Sequence, residues 1–240
     1  MTAARPQIFQ GAEALAAAAG ARILESGRAA LARGERFTLA LSGGRSPLPA
    51  FGWLIEHRDA LDWARVEIYF ADERAVPPDD PASNYHLVRA ALCDPLGIEA
   101  ARIHRMEGEA RDLEAAARAY EARLPAPLDC VVLGLGEDGH IASLFPHHAA
   151  LGEPTRRVLA VLDSPKPPPR RLTLAPRAIA EAREVLVIAT GEAKAAAVAA
   201  ALEQDGPPGE IPARLVRARA WLCDRAAAAA LSGSRGRASG

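Results

Sequence analysis

Two hydrophobic periods alternate along this chain. Residues 11 to 33 carry an alanine-rich amphipathic repeat that stops at Gly34, which predicts a helix. Phe37 to Leu41 is a short apolar run and predicts a strand, opening at its carboxyl end into Ser42-Gly43-Gly44-Arg45-Ser46. Pro47 suits the first turn of a second helix through Glu56, and Val66 to Phe70 predicts a second strand that ends at Ala71-Asp72-Glu73-Arg74. Ser83 is placed to cap a helix running to about Leu92. A helix over 110 to 124 then leads through Pro125 and Pro127 into the β-branched run Cys130 to Leu133, which glycines follow at once. Val158 to Leu162, Leu172 to Leu174 and Val185 to Ala189 read as further strands, and helical patterns cover 176 to 183 and 192 to 203.

Alternation of this kind predicts an α/β fold: a single doubly wound, mostly parallel sheet with helices on both faces. The proline cluster Pro165 to Pro169 and the stretch Gly206 to Pro212 are loop-like, yet each lies between elements that continue the alternation. The expectation is therefore one domain over 1–231. The tail at 232–240, rich in Ser, Gly and Arg, is expected to be disordered.

Half of the 240 residues are hydrophobic, enough for a sizeable core. A net charge of -1 gives no global reason to expect nucleic acid or an anionic membrane as partner, so any anion binding must come from local clusters. There is neither an apolar run near the roughly 20 residues that span a bilayer nor a secretory leader pattern, which makes the cytoplasm the expected location. Cys93, Cys130 and Cys223 are odd in number and widely spaced, so neither a disulfide framework nor a zinc knuckle is indicated.

In an open α/β sheet ligands bind at the carboxyl ends of the strands, where three loops of complementary chemistry would meet. Ser42 to Ser46 offers backbone N–H groups, two hydroxyls and the Arg45 guanidinium, which suit a phosphate near a helix amino end; the same residues also suit a plain turn. Arg171 and Lys194 are cations that could complete a phosphate cage or stand in solvent. The stretch 134–140 ends on Asp138-Gly139-His140. His140 is the best candidate for a general base, because an imidazole titrates near neutral pH. Asp138 and Asp72 are candidate carboxylate partners, against the alternatives of a helix cap at His140 and an Asx turn at Asp138.

Two other readings of the same stretch are weaker. Gly134, Gly136 and Gly139 satisfy the dinucleotide pattern G-x-G-x-x-G, with Asp163 as the later acid, but Pro146 and Pro154 interrupt the helix that the pattern needs. His140, His147 and His148 lack a standard metal-ligand spacing, so no metal is expected.

Six ordered segments carry a resemblance to the 6-phosphogluconolactonases, within the wider group that includes glucosamine-6-phosphate deaminase and isomerase. They are Leu41-Ser42-Gly43-Gly44, Asp72-Glu73-Arg74 with Val76-Pro77, Ser83-Asn84-Tyr85, the run 134–140 with Ala142-Ser143-Leu144-Phe145-Pro146, Arg171-Leu172-Thr173-Leu174, and Gly191-Glu192-Ala193-Lys194. The resemblance spans nearly the whole chain. It implies hydrolysis of 6-phosphogluconolactone without a cofactor. Ser42, Gly43, Gly44, Arg171 and Lys194 would hold the 6-phosphate, with Arg45 a local departure that could add to it. His140 would activate water, Arg74 would steady negative charge, and Asp72 would orient Arg74 or the ring hydroxyls. The deaminases carry Asn-Glu-Pro where this chain has Leu144-Phe145-Pro146, so the acid that orients their histidine is missing here. A non-catalytic sugar-phosphate sensor is the third reading. The sequence does not report the oligomeric state.

Overall fold

The computed structural model describes residues 3–34 and 36–232. The chain opens on strand β1 (Gln7–Phe9) and helix α1 (Ala12–Arg33), followed by β2 (Phe37–Leu41), α2 (Leu48–Glu56), β3 (Val66–Phe70) and β4 (Asp72–Arg74). Helix α3 (Asn84–Val88) runs through a π-turn at Arg89–Cys93 into α4 (Asp94–Leu96). Then come α5 (Leu113–Arg123), β5 (Cys130–Gly134), β6 (Val158–Val161), β7 (Arg171–Leu174), α6 (Pro176–Glu181), β8 (Glu184–Ala189), α7 (Ala195–Leu202) and β9 (Ala220–Asp224).

Six strands form a parallel sheet in the order β1-β9-β8-β5-β2-β3. Parallel strands covered on both faces read as apolar runs, and in central β5 Cys130, Val131, Val132 and Leu133 are all buried. The α/β class and the largely parallel sheet follow the sequence expectation. The second half differs in one respect. The runs at 158 and 171 do not continue the parallel ladder; with β4 they form a separate antiparallel sheet, β4-β7-β6. Each is short and apolar, and such a run does not encode its partner. Segment 72–74 is therefore an edge strand as well as part of a site, whereas the sequence reads it as a loop. Strands β1 and β9 were not expected; β1 has only three residues.

The core is one continuous apolar cluster that extends through both sheets and the helices against them. Each fully buried Leu, Ile, Val or Phe contributes about 1.5–3 kcal/mol relative to exposure. Helix α1 buries Leu15, Ala16, Ala19, Ile23, Leu24 and Ala30 along one stripe. Its Gly20 lets α2 approach closely, because a Cβ there would collide with the Trp53 ring. The three cysteines are free and buried, and burial pushes each thiol up to about 12, which removes them from nucleophilic chemistry. No described helix is long and apolar enough to cross a membrane. The tail expected to be disordered lies, from residue 233 on, outside the described residues.

Candidate active site

From β2 the chain proceeds to its neighbour β3 at one edge of the sheet, and from β5 it proceeds to β8 and β9 on the other side. The carboxyl ends of β2 and β5 therefore mark the reversal of strand order, where open α/β sheets leave a crevice. A cavity of about 460 Å³ opens there. The β2–α2 loop contributes Ser42, Gly43, Gly44, Arg45 and Ser46, and β4 contributes Asp72 and Arg74. Opposite them stand Gly136, His140, Lys166, Arg171 and Lys194. Nine of the ten sequence-predicted residues thus line one space, and the tenth, Asp138, stands directly behind His140.

The turn after β5 bends Asp138 and His140 together. Gly139 takes φ 81°, a conformation that favours glycine, and its N–H donates to Gly136 O at 3.0 Å. Gly136 N–H donates to His140 O at 2.8 Å. A Cβ on Gly136 would collide with His140 Nδ1, so the glycine leaves room for the ring. The result is a 2.5 Å contact between His140 Nδ1 and Asp138 Oδ1. Burial by itself would raise the Asp138 carboxyl, but the hydrogen bonds and charge of His140, with Lys166 beside it, hold it well below the usual carboxylate range. An ionised carboxylate can only accept, so this hydrogen bond requires the proton on Nδ1, and in the neutral imidazole that leaves the lone pair on Nε2. The imidazole packs on Phe145 with ring centroids 4.7 Å apart, and the Arg171 guanidinium lies 5.4 Å over the same phenyl ring.

Asp72 is buried and fully engaged. Ser143 Oγ donates to its Oδ2 at 2.7 Å and Asn84 Nδ2 to its Oδ1 at 3.1 Å. Asn84 in turn fits under Gly43, where any side chain would strike its Oδ1. Arg74 Nη1 donates to Ala82 O at 2.5 Å, while its Nε is buried without a protein partner, as is Ser42 Oγ. Arg171 is buried and spends most of its guanidinium on main chain: Nε donates to Pro168 O, Nη2 to Lys166 O and Pro167 O, and Nη1 to Ser143 Oγ at 3.4 Å. Lys194 Nζ stands 3.7 Å from Glu137, and Lys166 Nζ stands 3.5 Å from Asp138 Oδ2. Arg45 is exposed at the rim. A hydroxyl pair, Ser46 with Thr190 at 2.9 Å, ties the β2 loop to the end of β8.

No helix follows the glycines at 134–139; the chain makes a short bridge between Ile141 and Leu144 and then turns, so nothing there cradles a pyrophosphate. Asp163, the acid of the dinucleotide pattern, instead pairs with His148 at 2.9 Å. The main-chain N–H of His147 donates to Gly209 O at 2.7 Å. Among the described residues no group of three His, Cys, Asp or Glu is placed to hold a metal. Lys166, Thr190, Asn84 and Ser143 also line or support the site, and the sequence pattern assigns them no role. The last two lie inside segments that carried the resemblance, and Lys166 is the lone cation within a run of prolines.

Comparison with known proteins points the same way. A 6-phosphogluconolactonase of Mycobacterium tuberculosis is 42% identical over 94% of this chain and 97% of its own length, and one of Mycobacterium leprae is 40% identical over 95% and 98%. The solved 6-phosphogluconolactonase of Trypanosoma brucei superposes with a TM-score of 0.82 at 29% identity, covering 95% of this chain and 99% of that one. The family model for glucosamine-6-phosphate isomerases/6-phosphogluconolactonase matches residues 10–223, and this chain belongs to that family.

Proposed function

We propose that this protein hydrolyses 6-phospho-D-glucono-1,5-lactone to 6-phosphogluconate, the hydrolytic step of the oxidative pentose phosphate pathway. The observation that carries this reading is the Asp138–His140 pair on the wall of a cation-lined cavity, with Phe145 rather than a carboxylate packed on the imidazole. Relatives of this length and identity act in the same sense by name.

His140 Nε2 takes a proton from water as the water oxygen adds to the lactone carbonyl, with Asp138 stabilising the imidazolium. Arg74 faces the oxyanion that forms. When the ring C–O bond breaks, the imidazolium returns the proton to the leaving hydroxyl, and no redox partner is needed. The Ser42–Arg45 loop, Lys194 and the remaining Nη1 hydrogen of Arg171 hold the phosphate, where a dianion meets oriented N–H groups and fixed cations. Asp72 acts through Asn84 and Ser143. General-base help of roughly 10²–10⁴ in rate is enough for an already reactive ester.

The test is the loss of freshly prepared lactone with and without enzyme, run beside glucosamine-6-phosphate. Faster lactone loss and no ammonia support the reading. Ammonia from the amino sugar favours the deaminase reading, and tight phosphate-ligand binding with no turnover of either favours a sensor. Phe145 weighs against the deaminase, because the acid that would orient the histidine for proton shuttling is replaced by a buried ring.

A further inference from the structure

Lys166 stands among Pro165, Pro167, Pro168 and Pro169, where an exposed surface cation would be the ordinary expectation. Its setting is more constrained than that. Three hydrogen bonds from buried Arg171 grip the carbonyls of Lys166, Pro167 and Pro168 at 3.1–3.2 Å, and Ser164 Oγ closes the loop from within by donating to Lys166 O at 3.0 Å. These bonds tie the loop to Arg171, and from it the Lys166 ammonium reaches to 3.5 Å from Asp138 Oδ2, the carboxylate oxygen that His140 does not use.

We infer that Lys166 is a positioning residue for the hydrolysis proposed above: gripped by the Arg171 clasp, it anchors the outer oxygen of Asp138 and so completes a Lys166–Asp138–His140 relay. The inference rests on that functional reading for its kinetic consequence and on geometry alone for the relay. It also gives Arg171 a second duty. A guanidinium with most of its N–H groups on loop carbonyls serves mainly to shape the loop, and the Arg171 effect on turnover passes partly through Lys166.

The other charged groups around the dyad are Glu137 on the same turn, Lys194 at the start of α7, Asp72 and Arg74 on β4, Arg45 on the β2 loop, and Arg171 itself on β7. Only Lys166 and His140 contact the Asp138 carboxylate in an ion pair among the described residues. Removing the Lys166 charge leaves the dyad more negative, which favours imidazolium and moves the His140 titration up in pH.

The experiment compares the wild-type chain with Lys166→Met and Lys166→Arg. The His140 ring is titrated by NMR, which needs no turnover, and kcat and KM for the lactone are measured across pH. In Lys166→Met the ring midpoint rises by about half a pH unit and the acid limb of kcat/KM follows it. At neutral pH kcat falls about tenfold, a fraction of the whole general-base effect, with KM changed less than about twofold. Lys166→Arg restores most of both. An unchanged NMR midpoint overturns the relay, and so does a rise in KM alone, which would make Lys166 a phosphate ligand. A shifted midpoint in a protein that does not turn over the lactone supports the relay and sinks the proposed reaction. The Lys166 side chain is 41% exposed, and Lys166→Gln serves as a second uncharged variant if Lys166→Met does not fold.

Discussion

His140 is built by its neighbours. Replacing it by Ala removes the base, so lactone turnover above the spontaneous rate falls by roughly 10²–10⁴ while binding of 6-phosphogluconate survives. An undiminished rate in that variant would remove His140 from the mechanism. Gly136→Ala tests the turn rather than the ring: its Cβ meets both His140 Nδ1 and Asp138 Oδ1, so kcat falls toward that of the His140 variant although every charged group remains. For Asp138 the sign follows from a folded carboxyl held below its ordinary value. Its pairing contributes stability above about pH 4, the unfolded value, and that contribution is lost as pH falls further. Urea titrations of wild type and Asp138→Asn should accordingly differ at pH 7, with a gap that narrows steadily as pH is lowered below about 4; a constant gap would contradict the pairing. Of this group the sequence makes His140 and Asp138 visible as types, but their mutual geometry depends on Gly139 at φ 81° and on the space left by Gly136.

At the scale of elements, the site is assembled by contacts between loops that are distant in sequence. Asp224, at the end of β9, accepts from Gly191 N–H at 2.9 Å and from Ala227 N–H at 2.7 Å, and so pins the loop that leads to Lys194. Asp224→Ala releases that loop, and KM for the lactone should rise several-fold with kcat nearly unchanged; equal losses in both would place the effect on the dyad instead. Helix α3 is similarly tethered. Buried Glu73 accepts from the N–H groups of Arg74, Asn84 and Tyr85 and from Ser83 Oγ. Glu73→Ala strands these donors and should destabilise the fold by about 3 kcal/mol in denaturant titration. Because Asn84 also holds Asp72, activity per folded molecule falls as well. None of these tethers has a local signature. A single Asp after an apolar run or a Glu beside an Arg reads as surface until the topology brings its partner.

For the whole molecule, net charge and local charge tell different stories. The chain carries 29 basic and 30 acidic residues, yet Arg45, Arg74, Lys166, Arg171 and Lys194 converge on one cavity where, among the described residues, Asp72 is the lining acid. A dianionic sugar phosphate is drawn to such a mouth, and salt screens the attraction over a Debye length of about 10 Å at 0.1 M. Raising NaCl from about 20 mM to about 300 mM should lower kcat/KM several-fold, with inorganic phosphate competing for the same site. A salt-independent kcat/KM would mean that the cations are neutralised by their own partners.

The alternation of helical and strand periods is enough to assign the α/β class, because a strand buried on both faces reads as a largely apolar run and an amphipathic helix must show its stripe. The glycine-rich loops, the candidate acid and base, and the family resemblance were legible for a related reason: backbone freedom and titratable groups belong to residue types, and residue types are written in the chain. Pairing is not written there. Short apolar runs at 158 and 171 could join either sheet, β1 is too short to announce itself, and Asp72–Arg74 becomes a strand only because β7 lies beside it. Likewise Arg171 reads as a free cation, although folding turns most of its hydrogens onto a proline-rich loop and thereby brings Lys166 to Asp138. Contacts between residues far apart in sequence depend on closure of the whole chain, and local pattern carries no record of that closure.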